Sequence, residues 1–129
     1  MHLRTLFFCV LVLPGLAARA ANQPLEARVV GVADGDTITV LDAHKVQHRI
    51  RLAGIDAPEK GQPFAERSKQ SLRRMVMGRN ARIEWDERDR YGRLVGKAWV
   101  TPAGNDCTQE PCPKTLDAGR AQLTVGLAW

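Results

Sequence analysis

The chain has 129 residues, with 19 Lys plus Arg against 14 Asp plus Glu, three Cys and seven aromatic residues. No block of like charge and no Pro/Ser tract marks a disordered chain, and no 18-residue apolar run after the N-terminus marks a polytopic membrane protein. What is left is one modest globular domain with a small core.

Residues 1–20 carry Arg4, an apolar stretch from Leu6 to Leu16 and the small-residue pattern Ala18-Arg19-Ala20. This is the layout of a secretory signal peptide cleaved after Ala20. About eleven apolar residues, interrupted by Pro14 and Gly15, are too few to span a bilayer. Cys9 lies inside the apolar stretch rather than after a cleavage site, which argues against a lipoprotein. The predicted mature domain is therefore residues 21–129, secreted or periplasmic and free of the membrane. Loss of Arg4 and Arg19 leaves it 17 basic and 14 acidic side chains, a net charge of +3. So mild an excess suits a local, geometric contact with a polyanion rather than a broad basic carpet.

Three short β-type runs come first, Arg28 to Val32, Thr37 to Leu41 and Val46 to Ala53. Asp34-Gly35 and Asp42-Ala43-His44-Lys45 separate them, the spacing of an antiparallel meander. Alternation puts Ile50 and Leu52 on one face opposite Arg49 and Arg51, and Ile38 and Val40 opposite Thr37 and Thr39. After an irregular stretch from Gly54 to Gln62, Pro63 is expected to open a helix ending at Gly78, with Ala65, Ser68, Leu72, Met75 and Val76 along one face. Strands Ala81 to Trp85 and Leu94 to Val100 follow, joined by the charged turn Asp86 to Arg93. Asp117 is a plausible N-cap for a last short helix to about Gly126, with Leu116, Ala121 and Leu123 available for packing.

Between these strands and that helix lie Cys107 and Cys112. In an exported chain such a pair reads as a disulfide, a minor staple of about 2 kcal/mol. Zinc would need two more ligands, and His44 and His48 lie on a distant hairpin, where both are expected to face solvent. The fold class is mainly β with α (α+β). Three consecutive strands with room only for hairpins, then helix, two strands and helix, match an OB-type five-stranded Greek-key β-barrel better than a parallel βαβ sheet.

Chemistry gathers in three segments. Asp34-Gly35-Asp36-Thr37 is a turn whose second carboxylate enters a strand, though Asp-Gly is also an ordinary hairpin signal. Arg51-Leu52-Ala53-Gly54-Ile55-Asp56-Ala57-Pro58-Glu59 sets two acids around a stiffening Pro. If Asp36, Asp56 and Glu59 converge, their repulsion calls for a cation, and hard carboxylates without Cys or His select Ca²⁺ or Mg²⁺, a flexible loop favouring Ca²⁺. Asp89-Arg90-Tyr91-Gly92-Arg93 reads either as a charged hairpin tip or as a phosphate clamp, because a forked guanidinium matches a phosphate and Arg51 supplies a second one.

Together and in this order, Asp-Gly-Asp-Thr, Arg-Leu-x-Gly-Ile-Asp-Ala-Pro-Glu and Asp-Arg-Tyr-Gly-Arg resemble the thermonuclease family typified by staphylococcal nuclease. The resemblance runs from about Ala27 to Trp129. It implies that Asp36 and Asp56, with the main-chain carbonyl of Ala57, bind a catalytic Ca²⁺. It implies that Glu59 orients or deprotonates the attacking water, that Arg51 and Arg93 bind the scissile phosphate, and that Tyr91 and Arg90 lie in the nucleotide pocket. It further implies cleavage of DNA and RNA, single-stranded or locally opened, to 3′-phosphorylated products by a monomer. The family pattern continues past Gly126-Leu127-Ala128-Trp129 into an aromatic-rich segment and a final packed helix. The 129-residue chain, lacking that helix, is accordingly expected to be partly folded and weakly active unless Ca²⁺, ligand or the disulfide supports it. The alternative function is a non-catalytic or truncation-disabled OB-fold nucleic-acid-binding module.

Overall fold

A computed structural model describes residues 21–105 and 107–129; the expected signal peptide, residues 1–20, lies outside them. The elements are β1 (Leu25–Asp34), β2 (Thr37–Asp42), β3 (Gln47–Leu52), α1 (Ala65–Val76), β4 (Asn80–Arg88), β5 (Leu94–Val100), β6 (Leu116–Asp117) and α2 (Ala118–Thr124). The antiparallel meander is present, with Val29 opposite Val40 and Ile38 opposite Ile50. β1 is long enough to serve two neighbours. Its first residues pair with β4, Leu25 opposite Ile83, and its last with β2, Asp34 opposite Thr37. Register shifts between Val29 and Gly31 and between Val32 and Asp34 bend it from one partner to the other.

The barrel closes through a pairing that hairpin logic does not supply. β3 runs parallel to β5, with Ile50, Arg51 and Leu52 opposite Leu94, Val95 and Gly96. The five strands β1 to β5 thus form a closed mixed barrel, and the two-residue β6 extends β5. Alternating residues fill the interior: Val29, Ile38, Val40, Ile50, Leu52, Ile83 and Val100 are all essentially inaccessible to solvent. β4 extends past Trp85 to Arg88 through a bulge between Trp85 and Glu87. Gly96 allows the strands to approach there, since a Cβ would sit 2.1 Å from the Glu84 carbonyl oxygen.

α1 covers the barrel with Ser68, Ser71, Leu72 and Val76, and begins two residues later than Pro63 suggests. Phe64 adopts a left-handed φ of 65°, which leaves Pro63 outside the helix. α2 starts as expected, the Asp117 side chain accepting from the Arg120 N–H. Its buried face differs: Ala118, Gly119 and Gln122 point inward, whereas Ala121 is half-buried and Leu123 exposed. Small residues take the first two of these positions where α2 lies close over the barrel, a Cβ on Gly119 standing 3.8 Å from both Leu52 and Ile55 side chains.

His48 also departs from expectation. It is half-buried and its Nε2 meets Asp42 Oδ2 at 2.8 Å, while Asp42 Oδ1 accepts the His44 and Val46 N–H groups. The hydrogen bond from His48, then those backbone donors, hold the Asp42 carboxyl below its ordinary pKa. Cys107 and Cys112 are joined as a disulfide. Beside it Glu110 accepts from Asn80 Nδ2 (2.8 Å), the Cys112 N–H (2.8 Å) and Lys114 Nζ (3.1 Å), tying this loop to β4. Those three bonds, Asn80 first, lower the Glu110 pKa from 4.5 to about 2. The tie is complete above pH 4.5 and is expected to loosen as pH falls toward 2, read by NMR as loss of the Asn80 side-chain amide shift ahead of global unfolding.

Candidate active site

β-Sheet register brings the acidic turn and the first arginine together. Thr37 opens β2 directly opposite Arg51 on β3, and the Asp36 carbonyl accepts the Leu52 N–H at 2.8 Å. Asp36 is 8% exposed and Thr37 fully buried, unlike a free strand face, because the two side chains bond each other and the loop beyond β3. Asp36 Oδ1 accepts from Thr37 Oγ1 at 2.9 Å, and Oδ2 accepts the Ala57 N–H at 3.0 Å. Ahead of it, Asp34 Oδ1 accepts the Asp36 N–H at 3.1 Å. Burial first, then the hydrogen bond and charge of Asp34, push the Asp36 pKa above its ordinary value; Thr37 and Arg51 oppose this.

Arg51 is the centre of the arrangement. Its Nη1 donates to the carbonyls of Leu52 (2.9 Å) and Ile55 (2.7 Å). Its Nη2 lies 3.3 Å from Asp36 Oδ2 and makes a short ion pair with Asp56 Oδ1. One guanidinium thus bridges both carboxylates and fixes the loop that carries the second. Parallel closure delivers the other arginine, since Arg93 immediately precedes β5 and its Nη1 reaches Thr37 Oγ1 at 3.5 Å. Asp89 holds it there, Oδ2 accepting from Arg93 Nε at 2.7 Å and Oδ1 accepting the N–H groups of Tyr91 and Arg93, each at 2.9 Å. Burial works against the Asp89 carboxylate, but the Arg93 and Tyr91 donors outweigh it and its pKa lies below the ordinary value. Tyr91 is 64% exposed, and the guanidinium groups of Arg90 and Arg93 lie 4.9 and 5.4 Å from its ring centre.

Asp36, Asp56, Ala57, Arg51 and Arg93 therefore meet at one rim of the barrel, with Arg90 and Tyr91 on the adjoining turn. Glu59 does not join them as a third cluster member: among the described residues no three Asp, Glu, His or Cys side chains are arranged to hold a metal ion. It stands exposed on a turn whose Gln62 N–H donates to the Glu59 carbonyl at 2.9 Å, while Gln62 Oε1 accepts the Glu59 N–H at 2.6 Å. Beside this turn opens a cleft of about 440 Å³ whose lining includes Pro58, Phe64, Arg67, Leu127 and Trp129. The donor set of the paired acids is hard oxygen, and a buried carboxylate whose charged form is disfavoured by Asp34 gains from a cation. The residues present fit a divalent ion of the Ca²⁺ or Mg²⁺ kind. Thr37, Asp34 and Asp89 are supporting residues that motif reading passes over, although each lies inside a motif and could be found as the Asx or strand-entry partner of a charged neighbour.

Residues 49–129 match the family described as Staphylococcal nuclease homologue. The chain belongs to the staphylococcal nuclease family. It is similar to Protein ParB of Escherichia coli, 40% identical over 114 residues that cover 88% of this chain and 62% of that protein. It is also similar to an uncharacterized endonuclease of Escherichia coli O157:H7, 35% identical over 105 residues, 81% of this chain and 60% of that one. A micrococcal nuclease of Shigella flexneri is 36% identical over 109 residues, 78% of this chain and 55% of its own. The chain spans about three-fifths of the length of the relatives it matches. Family membership accounts for the closed barrel with two helices. All three motif segments lie at its site, in the turn before β2, in the loop after β3 and in the turn before β5.

Proposed function

We propose that the protein is an exported, monomeric, Ca²⁺-dependent nuclease that hydrolyses phosphodiester bonds of single-stranded or locally opened DNA and RNA to 3′-phosphorylated products. The observation that carries the reading is the convergence of two oriented guanidinium groups, Arg51 and Arg93, on the Asp36–Thr37 corner where two carboxylates pair. A nucleic-acid groove that only binds has no use for paired acids facing a polyanion; a hydrolytic site does. Residues 1–20 support the export reading, as does a cysteine pair suited to an oxidising compartment.

Attack on a phosphodiester anion requires its charge to be masked, the water aligned and the developing charge met by fixed donors. Asp36, Asp56 and the Ala57 carbonyl would hold Ca²⁺, which when bound would supply the masking. Arg51 is held by the Leu52 and Ile55 carbonyls through Nη1, so its position is fixed, and its Nη2 turns to a phosphate oxygen by giving up the Asp36 and Asp56 carboxylates. Arg93, anchored by Asp89, meets the phosphate from the other side, acting by charge because a guanidinium does not release its proton. Glu59, exposed and without a salt bridge among the described residues, aligns or deprotonates the water. Tyr91 offers a ring against which a base or sugar packs.

Hydrolysis of heat-denatured DNA by oxidised residues 21–129, with Ca²⁺ and then with EDTA, tests this reading. Activity abolished by EDTA is expected. A folded chain that binds nucleic acid without cutting it in Ca²⁺ would favour the non-catalytic OB-fold module instead. Within the nuclease reading, Glu59→Gln is expected to lower single-turnover hydrolysis by about 10²- to 10⁴-fold while calorimetric Ca²⁺ affinity is largely kept. Equal single-turnover rates would remove Glu59 from the role.

A further inference from the structure

Gln122 is fully buried on α2, a helix that contributes no residue to the site described above. Its Nε2 donates to the carbonyls of Gly35 (3.0 Å) and Ser68 (2.9 Å) and lies 3.3 Å from Ser68 Oγ. Its Oε1 finds no partner among the described residues. A half-satisfied buried amide is a costly choice where a Leu or Met of similar volume would fill the space. What the amide gains is a grip on the turn that carries Asp36. The turn has no slack toward α1 either, since a Cβ on Gly35 would lie 1.8 Å from Ser68 Oγ.

The same node reaches the second carboxylate. Ser68 Oγ, 3.3 Å from Gln122 Nε2, donates to the Leu127 carbonyl at 2.6 Å, while the main-chain carbonyl of Gln122 accepts the Leu127 N–H at 3.1 Å whatever side chain stands there. Two residues on, Trp129 and Asp56 exchange backbone hydrogen bonds, the Asp56 N–H donating at 2.7 Å and the Trp129 N–H at 2.9 Å. One arm therefore ends on Gly35, next to Asp36, and the other on Asp56 itself. We propose that Gln122 is a positioning residue that sets the spacing of the Asp36 and Asp56 carboxylates through the Gly35 carbonyl and, by way of Ser68, the Leu127–Trp129 segment. This rests on the nuclease reading for its purpose, but not for its test.

Gln122→Leu keeps the volume, removes the orphaned acceptor and releases the turn. Expected are an unchanged circular dichroism spectrum and a Tm close to wild type. Ca²⁺ affinity by calorimetry is expected to fall about 10- to 100-fold, as when groups that orient ligands are removed, and kcat to fall with KM nearly constant. In metal-free protein, hydrogen exchange at the Ala57 amide, which is bonded to Asp36 Oδ2, is expected to quicken by about tenfold. A folded Gln122→Leu protein with wild-type Ca²⁺ affinity, kcat and Ala57 exchange overturns the proposal. If that variant does not fold, the more adaptable Gln122→Met is measured in its place, and failure of both to fold makes Gln122 a folding residue and equally overturns it. The two readings separate cleanly. Wild-type protein that does not hydrolyse nucleic acid sinks the nuclease assignment, while Ala57 exchange still decides whether Gln122 positions Asp36.

Discussion

Asp36→Asn is expected to abolish measurable hydrolysis, a loss of about a hundredfold or more, without lowering the Tm of the metal-free domain at pH 7. The two halves of this expectation have one origin. Burial and Asp34 raise the pKa of Asp36, so the fold disfavours the charged form that a cation would need. That penalty is fully present above the raised pKa and fades as pH falls through it toward the ordinary carboxylate range. An amide escapes the penalty and can still accept the Ala57 N–H. The Tm advantage of Asp36→Asn should therefore be seen at pH 7 and disappear in acid, measured by paired thermal melts. With Ca²⁺ present the order should reverse, because only wild type gains binding free energy, about 2.7 kcal/mol at a hundredfold excess over Kd. A Tm at pH 7 clearly below wild type, without metal, would show that the Ala57 and Thr37 bonds outweigh the charge penalty.

Arg51→Ala is expected to behave oppositely, losing activity and stability together. Its guanidinium bridges Asp36 and Asp56 and satisfies the Leu52 and Ile55 carbonyls, and it is 19% exposed. Removing it leaves two carboxylates facing each other uncompensated. The cost is about 2 to 3 kcal/mol, below the full range for a buried pair because Asp56 remains two-thirds exposed. Hydrolysis is expected to fall about a thousandfold, and urea melts with single-turnover assays read the two losses separately. Arg51→Lys should recover part of the stability by retaining one charge, and little of the rate, since an ammonium cannot hold carbonyls and carboxylates with one planar fork. An Arg51→Ala protein as stable as wild type would mean that solvent already screens the acid pair.

The sequence made some of this architecture legible, and the limits have physical reasons. Alternation in Thr37–Asp42 and Gln47–Leu52, with turn residues between, suffices for the meander because each hairpin is a local event. The parallel β3–β5 closure joins segments about forty residues apart, and no local pattern encodes it. At the site, Asp36, Arg51, Asp56 and Arg93 stood out because charged residues flanked by Gly and Pro at strand ends have few structural uses. Gln122 did not, since a glutamine on a short helix looks like a solvated residue until its neighbours are known. Helical periodicity also misjudged which side of α2 is buried: Leu123 is the greasier residue, but Gly119 and Ala118 permit the close approach and so take the inside.

The strand closure has a consequence for when the chain can act. The contacts that make the site link residues 21 positions apart for Ala57 and Asp36, 56 for Arg93 and Thr37, and 87 for Gln122 and Gly35. No short stretch of polypeptide contains a working corner, and contacts between distant segments form late because loop closure must be met first. An unfolded or half-folded chain carries every reactive side chain and none of the arrangement. On the export reading proposed above, a chain that crosses the membrane unfolded acquires this corner only on the far side, where the distant segments can first meet.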